Sequence, residues 1–155
     1  MKIIYRKANE NDLMTYFHWA NEEDTRNNSF NSEKIDIQSH TLWYLYKIAS
    51  TECQLLLFEN SNGNAVGQVR IERSGEDSII SISIDKMFRG KALSCFMIDS
   101  ACEEYFRKFA KSTIVAYIKA SNIVSQKAFE KAGFKLFKMS IVHGEDKLIL
   151  KKENV

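Results

Sequence analysis

The sequence predicts a mixed α/β fold (α+β) in which a mostly antiparallel sheet of about seven strands is flanked by about four helices. Apolar stretches with a two-residue period alternate with stretches of helical period, in the order β-α-α-β-β-β-α-β-α-β-β. The 155 residues fit a single domain spanning 1–155 and are numerous enough to bury a core. With 45% hydrophobic and 27% charged residues, the composition is typical of a folded globular protein.

The first third of the chain is predicted to contain one strand and two helices. KIIYRKA (residues 2–8) has strand character, and Asn9 or Asn11 can cap the helix that continues through DLMTYFHWA. The segment NEEDTRNNSFNSEKI is less regular, and Asp36 can then cap a second helix, IQSHTLWYLYKIA. The apolar face of that second helix is expected to contain Ile37, Leu42 with Leu45 or Tyr46, and Ala49.

The middle of the chain is typical of a three-strand antiparallel meander. ECQLLLFE, AVGQVRIE and SIISISI have strand character, and the turn sequences NSNGN and RSGED separate them. Alternation in the third strand gives one apolar and one polar face, namely Ile80, Ile82 and Ile84 against Ser81, Ser83 and Asp85.

The last third is predicted to contain two helices and three strands. A long helix is expected over Lys91–Phe109, followed by TIVAYI as a central strand covered on both faces. Asn122 can cap a shorter helix that Gly133 ends. FKLFKMSIV, the turn HGED and KLILKK are expected to form a closing hairpin.

Charge and cysteine content exclude several classes of function. The net charge is only +2, and no basic run is interleaved with aromatic residues, so a nucleic-acid partner is not expected. Between Lys119 and Lys152 eight lysines face three acids, a distribution that suits an anionic small molecule or a solvated face. The polar start and three cysteines without metal-ligand spacing predict a cytoplasmic protein with reduced thiols, no metal and no membrane segment.

The stretch KMFRGKALSCFM (86–97) joins a strand to the long helix and is typical of a phosphate-binding loop. Unpaired backbone N–H groups at a helix N-terminus bind pyrophosphate without needing a particular side chain. Ala92 and Ser94 stand where such a loop normally carries glycine, which is required where φ is positive or a Cβ would meet the ligand. If Ala92 already belongs to a right-handed turn, its methyl costs only space, so we expect phosphate binding to be retained.

This loop resembles the acetyl-CoA-binding loop of the Gcn5-related N-acetyltransferase (GNAT) family. The family pattern is Arg or Gln, two residues, Gly, one residue, then Gly or Ala; Arg89 matches it, whereas Ala92 and Ser94 depart from it. ASNIVSQKAFEKAGF (120–134) resembles the second signature of the family. The matching positions there are Asn122, Ser125, Phe129 and Gly133-Phe134.

The resemblance implies the GNAT fold, acetyl-CoA as cofactor and CoA as product. It also implies that the strand before the loop is bulged and splays from the next strand, admitting the pantetheine arm beside Ser83 and Ile84. The residues themselves equally allow SISID to be an ordinary half-buried strand. The implied cofactor-binding residues are Ser83, Ile84, Arg89, Gly90, Lys91, Ala92, Leu93, Ser94, Asn122, Ser125 and Phe129.

The implied reaction is direct acetyl transfer from a thioester to a neutral amine within a ternary complex. Many family members carry a tyrosine at the position of Phe129, so this chain lacks that phenol. The proton for the departing thiolate then comes from water, Ser81 or Ser83, or CoA leaves as the unprotonated thiolate. Glu72, on the same strand face as Gln68, is either the base or an exposed carboxylate. The catalytic candidates are Glu72 and Ser83.

The N-terminal third carries a second resemblance, to bacterial acetyltransferases of nucleotide-linked amino sugars, including those of pseudaminic acid synthesis. It rests on WANEEDTRNNSFNSEKI, SHTLWYLYK and AVGQVRIE, in which an arginine suits a diphosphate and aromatic rings suit a base or sugar face. Trp19 and Trp43 would equally suit positions in the hydrophobic core, and His40 would equally suit a structural role. The implied acceptor-binding residues are Arg26, Asn28, Ser29, Phe30, His40 and Trp43, with Trp19 and Asn21 as further matching positions.

Two alternatives stay open at this point. The acidic N-terminal segment would suit a basic peptide, as in an acetyltransferase of protein N-termini or ribosomal proteins. The absent tyrosine would suit a non-catalytic acetyl-CoA-binding module. The expected partner is a small-molecule amine, and homodimerisation is left open.

Overall fold

The computed structural model describes residues 1–142 and 144–154, which form one mixed sheet with helices on both faces. The strands are β1 (Ile3–Lys7), β2 (Cys53–Asn60), β3 (Ala65–Ser74), β4 (Asp77–Ile84), β5 (Thr113–Lys119), β6 (Lys135–Val142) and β7 (Glu145–Glu153). The α-helices are α1 (Leu13–Asn21), α2 (Glu23–Asn27), α3 (Ile37–Ala49), α4 (Ser94–Lys108) and α5 (Ile123–Lys131).

The predicted mixed fold with a seven-stranded sheet is confirmed, and its strand order is β1-β2-β3-β4-β5-β7-β6. Only β4 and β5 pair in parallel, so the sheet is mostly antiparallel as predicted. The described residues contain five α-helices instead of about four. The additional helix, α2, is one short turn that begins where the Glu22 side chain accepts a hydrogen bond from Thr25 N, and five residues are too few to show a period. His143, the first residue of the predicted HGED turn, lies outside the described residues.

The parallel pair β4–β5 separates along its length. Pairing runs only from Asp77 opposite Thr113 to Ile79 opposite Val115, after which the two strands diverge. The expectation of a bulge in β4 is wrong. The register between β3 and β4 is regular from Gly67, opposite Ile84, to Ser74, opposite Asp77. Instead, β4 stays paired with β3 while β5 stays paired with β7. Antiparallel pairing is slightly the more stable kind, so the parallel pair is the one that opens.

The two faces of the sheet bury different cores. On one face α4 and α5 cover a large aliphatic cluster that includes Val69 and Ile71 of β3 and Ile80 of β4. On the other face α1 and α3 cover a smaller aromatic cluster around Tyr16 and Tyr44. Ser81 and Ser83 of β4 therefore lie on the same face as α1 and α3, whereas Ser78 faces α4, where its hydroxyl bonds Tyr105 Oη at 2.7 Å.

The predicted apolar face of α3 is wrong. Leu42 is 74% exposed and Tyr46 70% exposed, whereas His40 and Tyr44 are buried. The reason is that the polar atoms of these two aromatic residues find partners inside: Tyr44 Oη donates to Asn9 O at 2.7 Å, and His40 Nε2 to Leu13 O at 3.1 Å. With those bonds made, a face that contains a histidine packs as a core face.

Within the described ranges, no helix combines the length and the hydropathy that crossing a lipid bilayer requires.

Candidate active site

Two cavities meet at the polar face of β4. The first, which we call the cleft, has a volume of about 710 Å³ and lies between the diverging strands β4 and β5, with α4 and α5 at its side. The second, the pocket, has a volume of about 490 Å³ and lies between the sheet and helices α1, α2 and α3. Five residues line both: Thr25, Ser29, Ser81, Ile82 and Ser83. The cavities are therefore continuous at these residues.

The inner wall of the cleft includes a strand edge that is not paired with another strand. The backbone groups of residues 80–84 that face β5 have no strand partner, because pairing ends at Ile79. An unpaired strand edge of this kind can hydrogen-bond an extended amide-containing ligand. Gly67 keeps β3 close to this edge, since an ideal Cβ there would lie 2.4 Å from Ser83 O.

The N-terminus of α4 closes one end of the cleft. The side chains of Asp36 and Asn122 cap α3 and α5, but no side chain caps α4 at Leu93. The first amides of α4 therefore keep their hydrogen-bonding capacity at the positive end of the helix dipole. Of the predicted loop residues, Arg89, Gly90 and Ser94 line the cleft, whereas Lys91, Ala92 and Leu93 do not.

The backbone of this loop corrects one expectation. Ala92 has a φ of +58°, so it is not part of a right-handed turn, and α4 begins at Ser94 instead of Lys91. Gly90, two residues earlier, has a φ of +77°. An alanine in the left-handed region costs about 1 kcal/mol, a cost that glycine avoids. Ala92, which departs from the family pattern, therefore has a strained backbone conformation.

Arg89 joins the loop to α2. Its Nη2 lies 2.8 Å from Glu22 Oε2, its Nη1 3.1 Å from Asp24 Oδ2, and its Nε donates to Ile84 O at 2.9 Å. The hydrogen bond from Arg89 lowers the pKa of Glu22 to about 2. Because two carboxylates and a carbonyl occupy the guanidinium, Arg89 orders the loop through protein contacts.

The start of α5 forms the opposite wall of the cleft. Asn122 Oδ1 accepts a hydrogen bond from Ser125 N at 3.2 Å, and both residues line the cleft. Phe129, which also lines it, is 3% exposed and packs edge-on against Phe134 with ring centroids 5.0 Å apart. This wall presents an apolar ring where a tyrosine would present a hydroxyl.

The pocket is aromatic and cationic. Arg26 and Arg70 line it, and no aspartate or glutamate is among the described residues that do. The Arg70 guanidinium carbon lies 4.9 Å from the centroid of the Trp43 ring. Trp19 is 7% exposed and donates from Nε1 to Asp85 Oδ2 at 2.8 Å. Such a lining suits an anionic or neutral ligand with a flat or polar surface.

Arg26 also holds the segment that covers the pocket. Its Nη1 donates to Asn31 O at 3.1 Å and Glu33 O at 3.0 Å, and its Nη2 to Ser29 Oγ at 3.2 Å. Burial lowers its pKa. Asn21 holds the same segment through Ile35, donating to its carbonyl at 2.7 Å and accepting from its amide at 2.8 Å.

The predicted acceptor residues divide between the two cavities. Arg26, His40 and Trp43 line the pocket, Asn28 and Phe30 line the cleft, and Ser29 lines both. His40 is 2% exposed, and its bond to Leu13 O places the ring proton on Nε2 in the neutral form. Desolvation lowers its pKa, which keeps the ring neutral.

Glu72, a catalytic candidate, is not among the residues that line either cavity. Its carboxylate pairs with Lys47 and lies 3.3 Å from Arg70 Nε. Ser83, the other catalytic candidate, lies where the cleft and the pocket meet.

Among the described residues, three polar atoms on the lining of the pocket have neither a hydrogen-bond nor an ion-pair partner: Tyr16 Oη, Arg26 Nε and Gln68 Oε1. Tyr16 and Gln68 were not site candidates in the sequence, nor was Tyr117, which lines the cleft. Gln68 and Tyr117 are polar side chains with small or apolar residues on both sides, a signal that was present in AVGQVRIE and TIVAYI. Unpartnered buried groups of this kind are rare in folded proteins and mark a place for a ligand or water.

A sequence profile of the acetyltransferase (GNAT) domain matches residues 2–135. The chain belongs to the GNAT acetyltransferase family. It is therefore an acetyl-CoA-dependent N-acetyltransferase, as the motif resemblance implied.

Solved structures of acetyltransferases superpose on the whole GNAT fold of this chain. The spermidine N-acetyltransferase of Vibrio cholerae, in complex with CoA and spermine, has a TM-score of 0.87 at 16% identity, covering 98% of this chain and 95% of its own. A protein provisionally described as a phosphinothricin N-acetyltransferase has a TM-score of 0.85 at 23% identity, covering 99% of both chains. The aminoglycoside acetyltransferase AAC(6')-Ib, in complex with coenzyme A and kanamycin, has a TM-score of 0.80 at 16% identity, covering 98% and 95%. These identities establish the fold, and comparison with curated proteins gives no match.

Proposed function

We propose that this enzyme transfers the acetyl group of acetyl-CoA to the amine of a nucleotide-linked amino sugar, with acetyl-CoA in the cleft and the acceptor in the pocket. Both substrates are soluble nucleotide derivatives, which favours an enzyme that works in the cytoplasm. The observation that carries the choice of acceptor is the lining of the pocket, which has two arginines and no carboxylate among its described residues.

The cleft fits an elongated thioester cofactor part by part. The edge at Ser83 and Ile84 has no strand partner on the β5 side and suits the amides of a pantetheine arm, although Ile84 O already accepts from Arg89 Nε. The uncapped amides at the start of α4, with Gly90 and Ser94 on the lining, suit a pyrophosphate, and Lys91, Ala92 and Leu93 shape that loop. Across the gap, the lining residues Asn122, Ser125 and Phe129 form the wall on the other side of the arm.

The charge of the pocket favours an anionic acceptor over a polycation. A polyamine such as spermine needs carboxylates to replace its water shell, and it would face Arg26 and Arg70 instead. A nucleoside diphosphate meets those guanidinium groups favourably, and its base or sugar can lie against the Trp43 ring. Thr25, Ser29 and Ser39 supply hydroxyl groups for the sugar.

Transfer is expected where the cleft and the pocket meet, beside Ser81 and Ser83. Acetyl-CoA supplies the electrophilic thioester carbonyl, and CoA leaves. Among the described residues, the lining of the pocket has no carboxylate to deprotonate an ammonium group, so it favours an amine that is less basic than lysine, such as one on a sugar ring. Glu72 is not assigned as the base, since it is paired with Lys47 and lines neither cavity.

Labelled acetyl-CoA offered separately with a UDP-linked 4-amino sugar, a panel of peptides and spermidine tests this function. The expected result is label in the sugar, with kcat/KM at least a hundredfold above that for spermidine. Label in the peptides alone would establish the peptide alternative and overturn the proposed acceptor. A higher kcat/KM for spermidine than for the sugar would contradict the inference that the charge of the pocket favours an anionic acceptor.

A further inference from the structure

Gln68 occupies a distinctive place on the wall of the pocket. It is only 7% exposed, lies on β3 directly opposite Ser83, and donates from Nε2 to Ser83 Oγ at 3.3 Å. Ser83 is one of the residues that the pocket and the cleft share. The side-chain amide of Gln68 is therefore held where the two cavities join.

The carbonyl oxygen of this amide has no hydrogen-bond partner in the described structure. Leaving a buried acceptor unpaired costs about 1–3 kcal/mol, so such an atom calls for a partner that is present at some stage of function. The unpartnered Nε of Arg26 is a donor and suits a phosphate or hydroxyl oxygen. Gln68 Oε1 is instead an acceptor only, and suits an N–H or O–H donor, of which the reacting amine is the one expected nearest Ser83.

We propose that Gln68 Oε1 accepts a hydrogen bond from the amine of the acceptor and directs the amine lone pair at the thioester carbonyl. The inference rests on the proposed function, because it places the acceptor amine in the pocket. An amide oxygen binds a neutral amine without taking its proton, so Gln68 positions the nucleophile and is not the base. During transfer the N–C bond forms and the C–S bond breaks with its electron pair on sulfur, while the proton lost by nitrogen passes through water to that sulfur.

The chain contains a closely matched control for this residue. Gln54, on the neighbouring strand β2, is 5% exposed and donates from Nε2 to Ala101 O at 3.0 Å. Its Oε1 is also without a partner, but Gln54 lines neither cavity. The two glutamines share burial, one donated bond and one unpaired carbonyl, and differ in whether the acceptor can reach them.

Methionine at each position removes the amide and keeps the length of the side chain. We expect Gln68→Met to lower kcat with a UDP-linked 4-amino sugar ten- to a hundredfold, while the calorimetric Kd for CoA changes less than twofold. Gln54→Met is expected to leave kcat within twofold. A kcat for Gln68→Met within twofold of wild type, or an equal loss in both variants, would overturn the proposal.

A third variant separates binding of the amine from a structural role in the pairing of β3 with β4. Gln68→Glu retains an oxygen acceptor, so kcat is expected to recover at least fivefold over Gln68→Met and to gain a pH dependence as the new carboxyl titrates. A Gln68→Glu variant no more active than Gln68→Met at every pH from 6 to 9 would contradict the role of Oε1.

Failure of the acceptor proposal is distinguishable from failure of this one. If wild-type protein acetylates a peptide and not the sugar, the sugar acceptor is overturned. The kcat values of Gln68→Met and Gln54→Met are then measured with that peptide, and the same fold-changes support or overturn the role of Gln68. Wild-type protein that acetylates no amine overturns both.

Discussion

The cleft and the pocket meet at β4 but are built from different parts of the chain. The cleft uses main-chain groups, namely an unpaired strand edge and the uncapped start of α4, and most of its predicted residues are close in sequence to the loop. The pocket uses side chains from α1, α2, α3, β3 and β4, which are distant in sequence. A site made of backbone is recognisable from a local motif, whereas a site made of side chains depends on which helix face turns inward.

The largest effect on cofactor binding is expected from Arg89→Glu, which changes the loop of the cleft. The new carboxylate would face Glu22 and Asp24 in place of their common cation, and the loop would lose its attachment to α2. The Kd for CoA is expected to rise at least tenfold, or about 1.4 kcal/mol, by calorimetry. Arg107→Glu is the matched control, because Arg107 pairs with Glu104 on the exposed side of α4. An unchanged Kd for Arg89→Glu would remove the loop from the cofactor site.

Arg26→Ala changes the pocket and should separate it from the cleft. We expect the KM for the sugar acceptor to rise about tenfold, since a charged hydrogen bond contributes about 1.5–3 kcal/mol, while the Kd for CoA stays within threefold. Arg73→Ala is a suitable control, because Arg73 contacts Phe109 and lines neither cavity. The reverse pattern, a weakened cofactor and an unchanged acceptor, would show that the two cavities have been assigned the wrong way round.

A smaller effect is expected from Ala92→Gly, which tests the strained backbone of the loop. Glycine adopts the observed φ of +58° without a steric cost, so the free energy of unfolding should rise by about 0.5–1 kcal/mol and Tm by about 1–4 °C. Gly90→Ala should have the opposite sign, because Gly90 has a φ of +77° and its added methyl meets nothing within 4 Å. Thermal unfolding of both variants gives the comparison, and a loss of stability in Ala92→Gly would contradict the left-handed conformation.

The smallest effect on activity is expected from Glu72→Gln. The carboxylate faces Lys47 and Arg70 and lies outside both cavities, so kcat should stay within twofold while stability falls by about 0.5–1 kcal/mol. Lys47→Gln, which removes the other partner of the pair, should resemble it in both respects. A kcat at least a hundredfold lower for Glu72→Gln alone would restore this residue as the base.

The order of strands and helices along the chain was predictable from the sequence, since period-two stretches, turns and a capped helix are local features. The meander β2–β4, the cap at Asn122 and the gap beside Ser83 followed from such signals and from the family resemblance. The conformation of Ala92 was predicted wrongly, because an alanine by itself favours a right-handed backbone. Glycine in the family pattern at that position was itself the signal for a positive φ.

The inward face of α3 shows why the pocket was harder to predict. A hydrophobic scale favours Leu42 and Tyr46 as core residues, yet His40 and Tyr44 are buried because Leu13 O and Asn9 O accept their polar hydrogens. Those carbonyls belong to a distant segment, so their bonds leave no mark in the local pattern. The same dependence on distant partners left Gln68 outside the predicted site.

Amide hydrogen exchange with and without CoA tests the central claim most directly, because the cleft is assigned to backbone groups. Saturating CoA is expected to slow exchange in residues 80–84 of β4 and 90–96 of the loop and α4, and to leave the amides of α3 beside the pocket unchanged. Protection confined to α1, α2 and α3, or no protection between residues 80 and 96, would contradict the placement of the cofactor between β4 and β5.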